Sequence, residues 1–240
     1  RVRELGYPLA GFDAYVTSTV LSGSGLSSSA AYEVLVGNIL NHFCCGGKLD
    51  PVQIAKNGQY AENVYFGKLS GLMDQMGSSV GGAVAIDFGD PADPVVEAIH
   101  YDFAQSGHSL CIVDTCSSHD DLTESYSDVT REMNAVAGHF GCQHLRSVPE
   151  EDFRAAIPAL RGECGDRAVL RALHFYDDDR RAAQEAQALK DGDFDAFLAL
   201  VNASGLSSAL HLQNTWCISN PRQQAIPVVL ALGRELLGDS

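Results

Sequence analysis

Basic residues are scarce in this sequence. Sixteen lysines and arginines stand against 31 aspartates and glutamates, a formal charge of −15 over 240 residues. A field of that sign argues against nucleic acid or an anionic bilayer as partner. Long apolar runs are lacking as well. No stretch of about 18 apolar residues occurs, so no membrane span is expected. The opening residues, Arg1-Val2-Arg3-Glu4-Leu5, do not read as a signal peptide. Cysteines are present but form no framework. There are seven, an odd number; Cys44 and Cys45 are adjacent and the rest are scattered, which points to free thiols and a cytoplasmic chain. His139, Cys142 and His144 form the one compact set of potential metal ligands. Their spacing fits no zinc pattern and reads as a helix-end cluster. Internal repeats and low-complexity linkers are missing too. What remains is a 45% hydrophobic chain with enough apolar residues for one large or two small cores.

The chain is organised around Gly23-Ser24-Gly25-Leu26-Ser27-Ser28-Ser29-Ala30-Ala31. A β-like run, Phe12 to Leu21, leads in, and a helix-like run, Ala30 to Phe43, leads out. Glycines let the backbone approach a ligand, while the helix N-terminus offers free N–H groups and a favourable dipole for an anion. The serines add hydroxyls for caps, phosphate oxygens or a metal ion. The loop lacks the lysine of a P-loop and the third glycine of a dinucleotide fingerprint. Taken alone it is equally a tight turn capped by serines.

Further along, helix Ala30–Phe43 is apolar on more than one face, which suits burial beneath the loop. Gly46-Gly47 ends it, and Asp50-Pro51 starts a second helix to about Tyr65, with Ala55, Tyr60 and Val64 on its inner side. Gly67 and Gly71 break the chain before Asp74. Glu62 by itself reads as a solvated helical carboxylate, and Asp74 as a cap or turn residue. They can converge if the intervening loop folds back. Ala83–Phe88, Val95–Phe103 and Leu110–Asp114 read as strands. Helices follow at about Glu124–Phe140, Glu151–Arg161, Asp166–Lys190, Asp193–Asn202, near Ser208–Gln213, and Pro221–Leu237, with Asp193 as an N-cap. The run Asp177-Asp178-Asp179-Arg180-Arg181 reads as a solvated helix face.

Three stretches in this order resemble the galactokinases of the GHMP small-molecule kinase superfamily: Gly-x-Gly-Leu-Ser-Ser-Ser-Ala at Gly23–Ala30, Glu62, and Gly71-Leu72-Met73-Asp74-Gln75. The likeness covers most of the chain. It implies an α+β, GHMP-kinase-like two-domain fold. Residues 1–88 would form the N-terminal part, like domain 2 of ribosomal protein S5, and residues 89–240 a ferredoxin-like-derived C-terminal part. The family's N-terminal signature, with its arginine, and its glycine-rich third motif are not in this sequence. The resemblance therefore implies the middle of a larger enzyme, incomplete at both ends and inactive alone.

The resemblance also implies roles. Gly23, Ser24, Gly25, Leu26, Ser27, Ser28 and Ser29 would bind ATP phosphates. Ser29 and Glu62 would hold Mg2+, a hard cation that prefers oxygen ligands. Asp74 would be the catalytic aspartate acting on the anomeric hydroxyl of galactose, and Gly71, Asp74 and Tyr126 would contact the sugar. Ser118 stands where many family members have lysine or arginine, and Ser204-Gly205-Leu206 lacks a histidine that often follows the serine. Two alternatives stay open: a kinase for a related sugar such as N-acetylgalactosamine, and a catalytically silent sugar sensor. The partners implied are a sugar and ATP, not nucleic acid or membrane.

Overall fold

The computed structural model describes residues 1–20, 25–67, 70–90, 92–115, 123–216 and 220–238. Expectations for Leu21 to Ser24, and for Ser118, fall outside these residues. The architecture is α+β, with eight helices and two strands among the described residues. The chain divides into two compact units, residues 1–100 and 101–240.

The first unit holds α1 (Ser28–Cys44), α2 (Pro51–Tyr60), α3 (Met73–Val80) and the antiparallel hairpin of β1 (Ala83–Asp87) and β2 (Val95–Ile99). Asp50 caps α2: its carboxylate accepts from the Gln53 N–H at 2.7 Å, and Pro51 follows at the first helical position. The hairpin register runs from Ala83 opposite Ile99 to Asp87 opposite Val95. Asp87 and Asp90 turn the connection by accepting from the N–H groups of Gly89 and Ala92. Lys56 on α2 donates to the Ala92 carbonyl at 2.8 Å.

Two apolar clusters hold this unit. Val34 on α1 packs with Val2, Cys45, Leu49 and Ile54. Ala55 on α2 packs with Leu72 and Met76, against Ile86 and Val96 of the hairpin. The two helices approach closely because Gly37 on α1 faces Ile54; a Cβ there would lie 2.8 Å from the Ile54 methyl Cγ2.

Several expectations are corrected here. α1 is not buried all round: Ala30 and Val34 face inward, whereas Leu35 and Phe43 are exposed. Its described helical neighbours, α2 and α3, cover one side of it. Val64, expected on the inner side of the second helix, is exposed. Described residues 12–20 and 110–114 form no strand. A strand exists only through its ladder, and neither segment has a partner edge among the described residues.

In the second unit, α4 (Thr123–His139), α5 (Glu150–Glu163) and α6 (Asp166–Asp191) enclose a core of Val136, Phe153, Leu160, Val169, Ala172 and Tyr176. Phe153 and Tyr176 stack with ring centroids 5.1 Å apart. The Tyr176 hydroxyl donates to the Val148 carbonyl at 3.0 Å, and burial pushes its pKa up to about 12. Gly192, in the left-handed conformation, ends α6, and Asp193 caps α7 (Phe194–Ser207) through the Ala196 N–H. α7 runs into a π-helical turn, Ser208–Leu212, and α8 (Ala225–Leu237) follows. No helix among the described residues is long and apolar enough to cross a membrane.

The run Asp177–Arg181 lies on α6 in a web of ion pairs. Arg180 pairs with Glu150 and Asp177, Arg181 with Asp178 at 2.9 Å, and Asp179 with Arg146 at 2.6 Å. His139 is held by Glu163 at 2.7 Å. Arg171, almost fully buried, donates to Glu132 at 2.9 Å and to the Leu212 carbonyl at 3.1 Å. Its guanidinium thus joins α6 to α4 and to the π-turn after α7.

Candidate functional site

The recess in the first unit starts at the N-terminus of α1. Gly25 (φ 75°) and Ser27 (φ 55°) both take the left-handed conformation immediately before the helix. Glycine does so freely; for serine it is strained, a cost that clusters at functional sites. Ser27 makes no side-chain cap, and the first turn carries no acidic residue. The N–H groups of that turn therefore meet no carboxylate of their own helix, and the helix dipole favours an anion there. Ser28 and Ser29 are in this turn. Gly23 and Ser24 lie outside the described residues.

Glu62 is placed by a defect in the second helix. α2 is regular to Tyr60 and then widens into a π-turn, Ala61–Tyr65, closed by the Phe66 N–H on the Ala61 carbonyl at 3.1 Å. The wider turn puts Glu62 inside, 5% exposed, and leaves Val64, Tyr65 and Phe66 outside. Single π-turns in otherwise regular helices recur at functional sites.

Two amides next fold the chain back. The Asn63 carboxamide oxygen accepts from the Ser70 N–H at 2.7 Å and from its hydroxyl at 3.2 Å. Asn63 and Gln59 both donate to the Ser70 carbonyl, at 3.3 and 3.2 Å. Pinned at Ser70, the chain enters α3 beside the π-turn. Asp74 sits in the first turn of α3 and is exposed; Gln75, the next residue, is 1% exposed and donates to Glu62 at 3.2 Å and to Glu33 of α1 at 3.1 Å.

The outcome is one recess of about 230 Å3, lined by Ser29, Glu62, Gly71, Asp74 and Gln75 among others. It joins residues from three separated stretches of sequence. Ser29, Glu62 and Asp74 present only oxygen donors, a set that suits a hard divalent cation such as Mg2+ rather than a thiophilic one. Tyr126 belongs to α4, and its side chain lies outside the described residues. Glu33, Gln59, Asn63, Ser70 and Gln75 have structural parts here that the sequence reading assigned to none of them. The amides gave no signal: Gln and Asn in a helix ordinarily face water, and only the fold-back at Ser70 supplies their partners.

Comparison with known proteins adds an independent observation. Residues 1–82 match the family described as GHMP kinases N terminal domain. The chain is 36% identical over 200 residues to a galactokinase of Streptomyces coelicolor, covering 83% of this chain and 51% of that protein. It is 32% identical over 208 residues to a galactokinase of Mycobacterium bovis, covering 85% of this chain and 54% of the relative. Among solved structures, the galactokinase of Lactococcus lactis complexed with galactose superposes with a TM-score of 0.60 at 23% identity, over 82% of this chain and 50% of that one. This last likeness is one of fold. The chain spans about half the length of the curated relatives it matches.

Proposed function

Because this chain belongs to the GHMP kinase superfamily and is related to the galactokinases, we propose that the protein transfers the γ-phosphoryl group of ATP to the anomeric hydroxyl of galactose. The products are galactose 1-phosphate and ADP. The observation that carries this reading is the recess at the N-terminus of α1, which Ser29, Glu62, Gly71 and Asp74 line together.

In this reading the loop Gly23–Ser29 and the first turn of α1 cradle the phosphates through backbone N–H groups. Ser29 and Glu62 would hold Mg2+, which would supply positive charge to offset that of the phosphates. Gly71 and Tyr126 take part in seating the sugar. Asp74 accepts the proton of the anomeric hydroxyl as that oxygen bonds to the γ-phosphorus, and the bond from phosphorus to the β-phosphate oxygen breaks to release ADP. Asp74 suits this task because its carboxylate is exposed and lines the recess, where a hydroxyl can reach it.

Asp74→Asn in the intact protein tests the assignment. It keeps the shape and removes the proton acceptor. General-base catalysis contributes about 10²–10⁴-fold, so kcat should fall by that factor while binding of galactose and ATP changes little. Near-normal kcat in the variant would return Asp74 to the role of a helix-turn residue. A panel of hexoses that includes N-acetylgalactosamine, read by ADP release, fixes the acceptor. Galactose binding without ADP release from any of them would mark a sensor instead.

A further inference from the structure

We propose that Gln75 is a positioning residue, a clamp whose carboxamide holds Glu62 in the orientation the recess requires, with Glu33 as its second anchor. The inference rests on the reading of Glu62 as a cation ligand and extends it to two residues that reading does not involve.

The geometry starts with one nitrogen. Gln75 Nε2 donates to Glu62 Oε2 at 3.2 Å and to Glu33 Oε2 at 3.1 Å. An amide NH2 has two hydrogens, and here both are committed to carboxylates. The opposite amide orientation would aim the carbonyl oxygen at the same two carboxylates, so the orientation is imposed by them. It has a cost: Gln75 Oε1 is buried and accepts no hydrogen bond among the described residues. A buried acceptor left without a donor is uncommon and calls for a compensating role. The compensation is that two carboxylates from different helices, α1 and the π-turn after α2, are held by one side chain of a third helix, α3.

The helices are shaped around this clamp. Gly58 on α2 is buried where it passes. A Cβ at that position would lie 3.1 Å from both Glu33 Cβ and Glu33 Oε2, and 3.3 Å from Gln75 Cγ. Glycine therefore lets α2 sit against the Glu33–Gln75 contact. Gln75 also follows Asp74 directly, so the helical turn that presents Asp74 to the mouth of the recess carries the clamp beneath it. One helical turn thus carries the exposed carboxylate of Asp74 and the amide that donates to the buried carboxylate of Glu62.

Partners of this kind around a metal ligand tune affinity: removing one typically costs about 10–100-fold in metal binding or activity. The test uses the intact protein, with Mn2+ as the probe cation, titrated by electron paramagnetic resonance in the presence and absence of ATP. Gln75→Met keeps the length of the side chain and removes the donor. The expected result is a Mn2+ dissociation constant raised by about 10–100-fold, an unchanged KM for galactose, and a kcat recovered by raising the Mg2+ concentration. Glu33→Gln, which leaves the clamp one charged anchor, should shift Mn2+ affinity in the same direction by less, and it supplies the measurement if Gln75→Met does not fold. A purely structural Gln75 gives a different pattern: a lower melting temperature with unchanged Mn2+ affinity, and a kcat that extra Mg2+ does not restore. That pattern overturns the clamp. Glu62→Gln run in parallel separates the two readings. Mn2+ binding lost in Glu62→Gln but intact in Gln75→Met and Glu33→Gln overturns the clamp alone. Mn2+ binding intact in Glu62→Gln overturns the assignment of Glu62, and the clamp with it.

Discussion

His174 shows what a buried polar residue does when it belongs to the core of its unit. Its Nδ1 is 2.9 Å from the Ser207 hydroxyl, its Nε2 is 3.6 Å from Asp178, and the same hydroxyl is 3.3 Å from His211 Nδ1. Burial pushes its pKa below the ordinary 6.5; Asp178 and Asp177 pull the other way, while Arg181 and His211 add to the depression. The folded protein therefore takes up this proton at a lower pH than the unfolded chain. As pH falls below 6.5 the unfolded state binds more protons, and stability declines until the folded pKa is passed. The contribution is fully present above 6.5. We expect the melting temperature of the second unit's helices, followed by far-UV circular dichroism, to drop as pH is lowered from 7 towards 5. His174→Gln, which can still bond Ser207 but cannot ionise, should flatten that slope. An identical slope in the variant would move the effect to other groups. At this scale the residues alone mislead for Glu62, which reads as a solvated helical carboxylate and is in fact buried; only the resemblance singles it out together with Asp74. The sequence was silent on Gln75, because nothing in a side-chain amide announces which carboxylates it will bridge.

Elements were legible where local signals end them. Asp50-Pro51, Asp193 and Gly192 are caps and stops whose physics is contained within a few residues, and the helices they bound lie close to their expected ranges. α3 was not foreseen. Its eight residues, MDQMGSSV, carry a glycine and two serines, poor helix formers, and its stability comes from Leu72 and Met76 packing on Ala55. The runs 12–21 and 110–114 read as strands in the sequence, but a strand depends on a neighbour that a local run cannot supply, and described residues 12–20 and 110–114 form none. The same contrast between local propensity and packing sets the next expected outcome. Alanine is the better helix former by about 1 kcal/mol. Gly233 on α8 has nothing within 4 Å of the position its Cβ would take, so Gly233→Ala should stabilise by up to about 1 kcal/mol. At Gly37 the new Cβ would meet the Ile54 methyl at 2.8 Å, and a β-branched side chain is stiff about χ1. Overpacking of this kind costs about 1–3 kcal/mol, and with a stiff neighbour that cannot swing away the cost should exceed the propensity gain. Urea midpoints should therefore move in opposite directions for the same substitution. A Gly37→Ala protein as stable as Gly233→Ala would show that α1 and α2 separate without penalty.

For the chain as a whole, two properties oppose each other. The formal charge of −15 makes copies of the chain repel. Apolar side chains stand exposed in segments that pair with nothing among the described residues: Tyr15 is 94% exposed, and Leu110 and Ile112 are 97% and 66% exposed. Unpaired backbone carrying such side chains is a template for association, normally blunted by charge. Repulsion acts at long range and salt removes it; the Debye length falls from about 10 Å at 0.1 M to about 3 Å at 1 M. Apolar association survives that screening. The expected outcome is that the 240-residue chain is monomeric at low ionic strength and self-associates as NaCl is raised, read by sedimentation velocity. Leu110→Lys with Ile112→Lys should shift the onset to higher salt, because each change removes apolar area from the exposed segment, which outweighs the small loss of net negative charge. The two forces predict opposite signs, which makes the measurement decisive. Association that weakens with salt would mean that pairing between acidic and basic patches, rather than the exposed segments, brings the copies together.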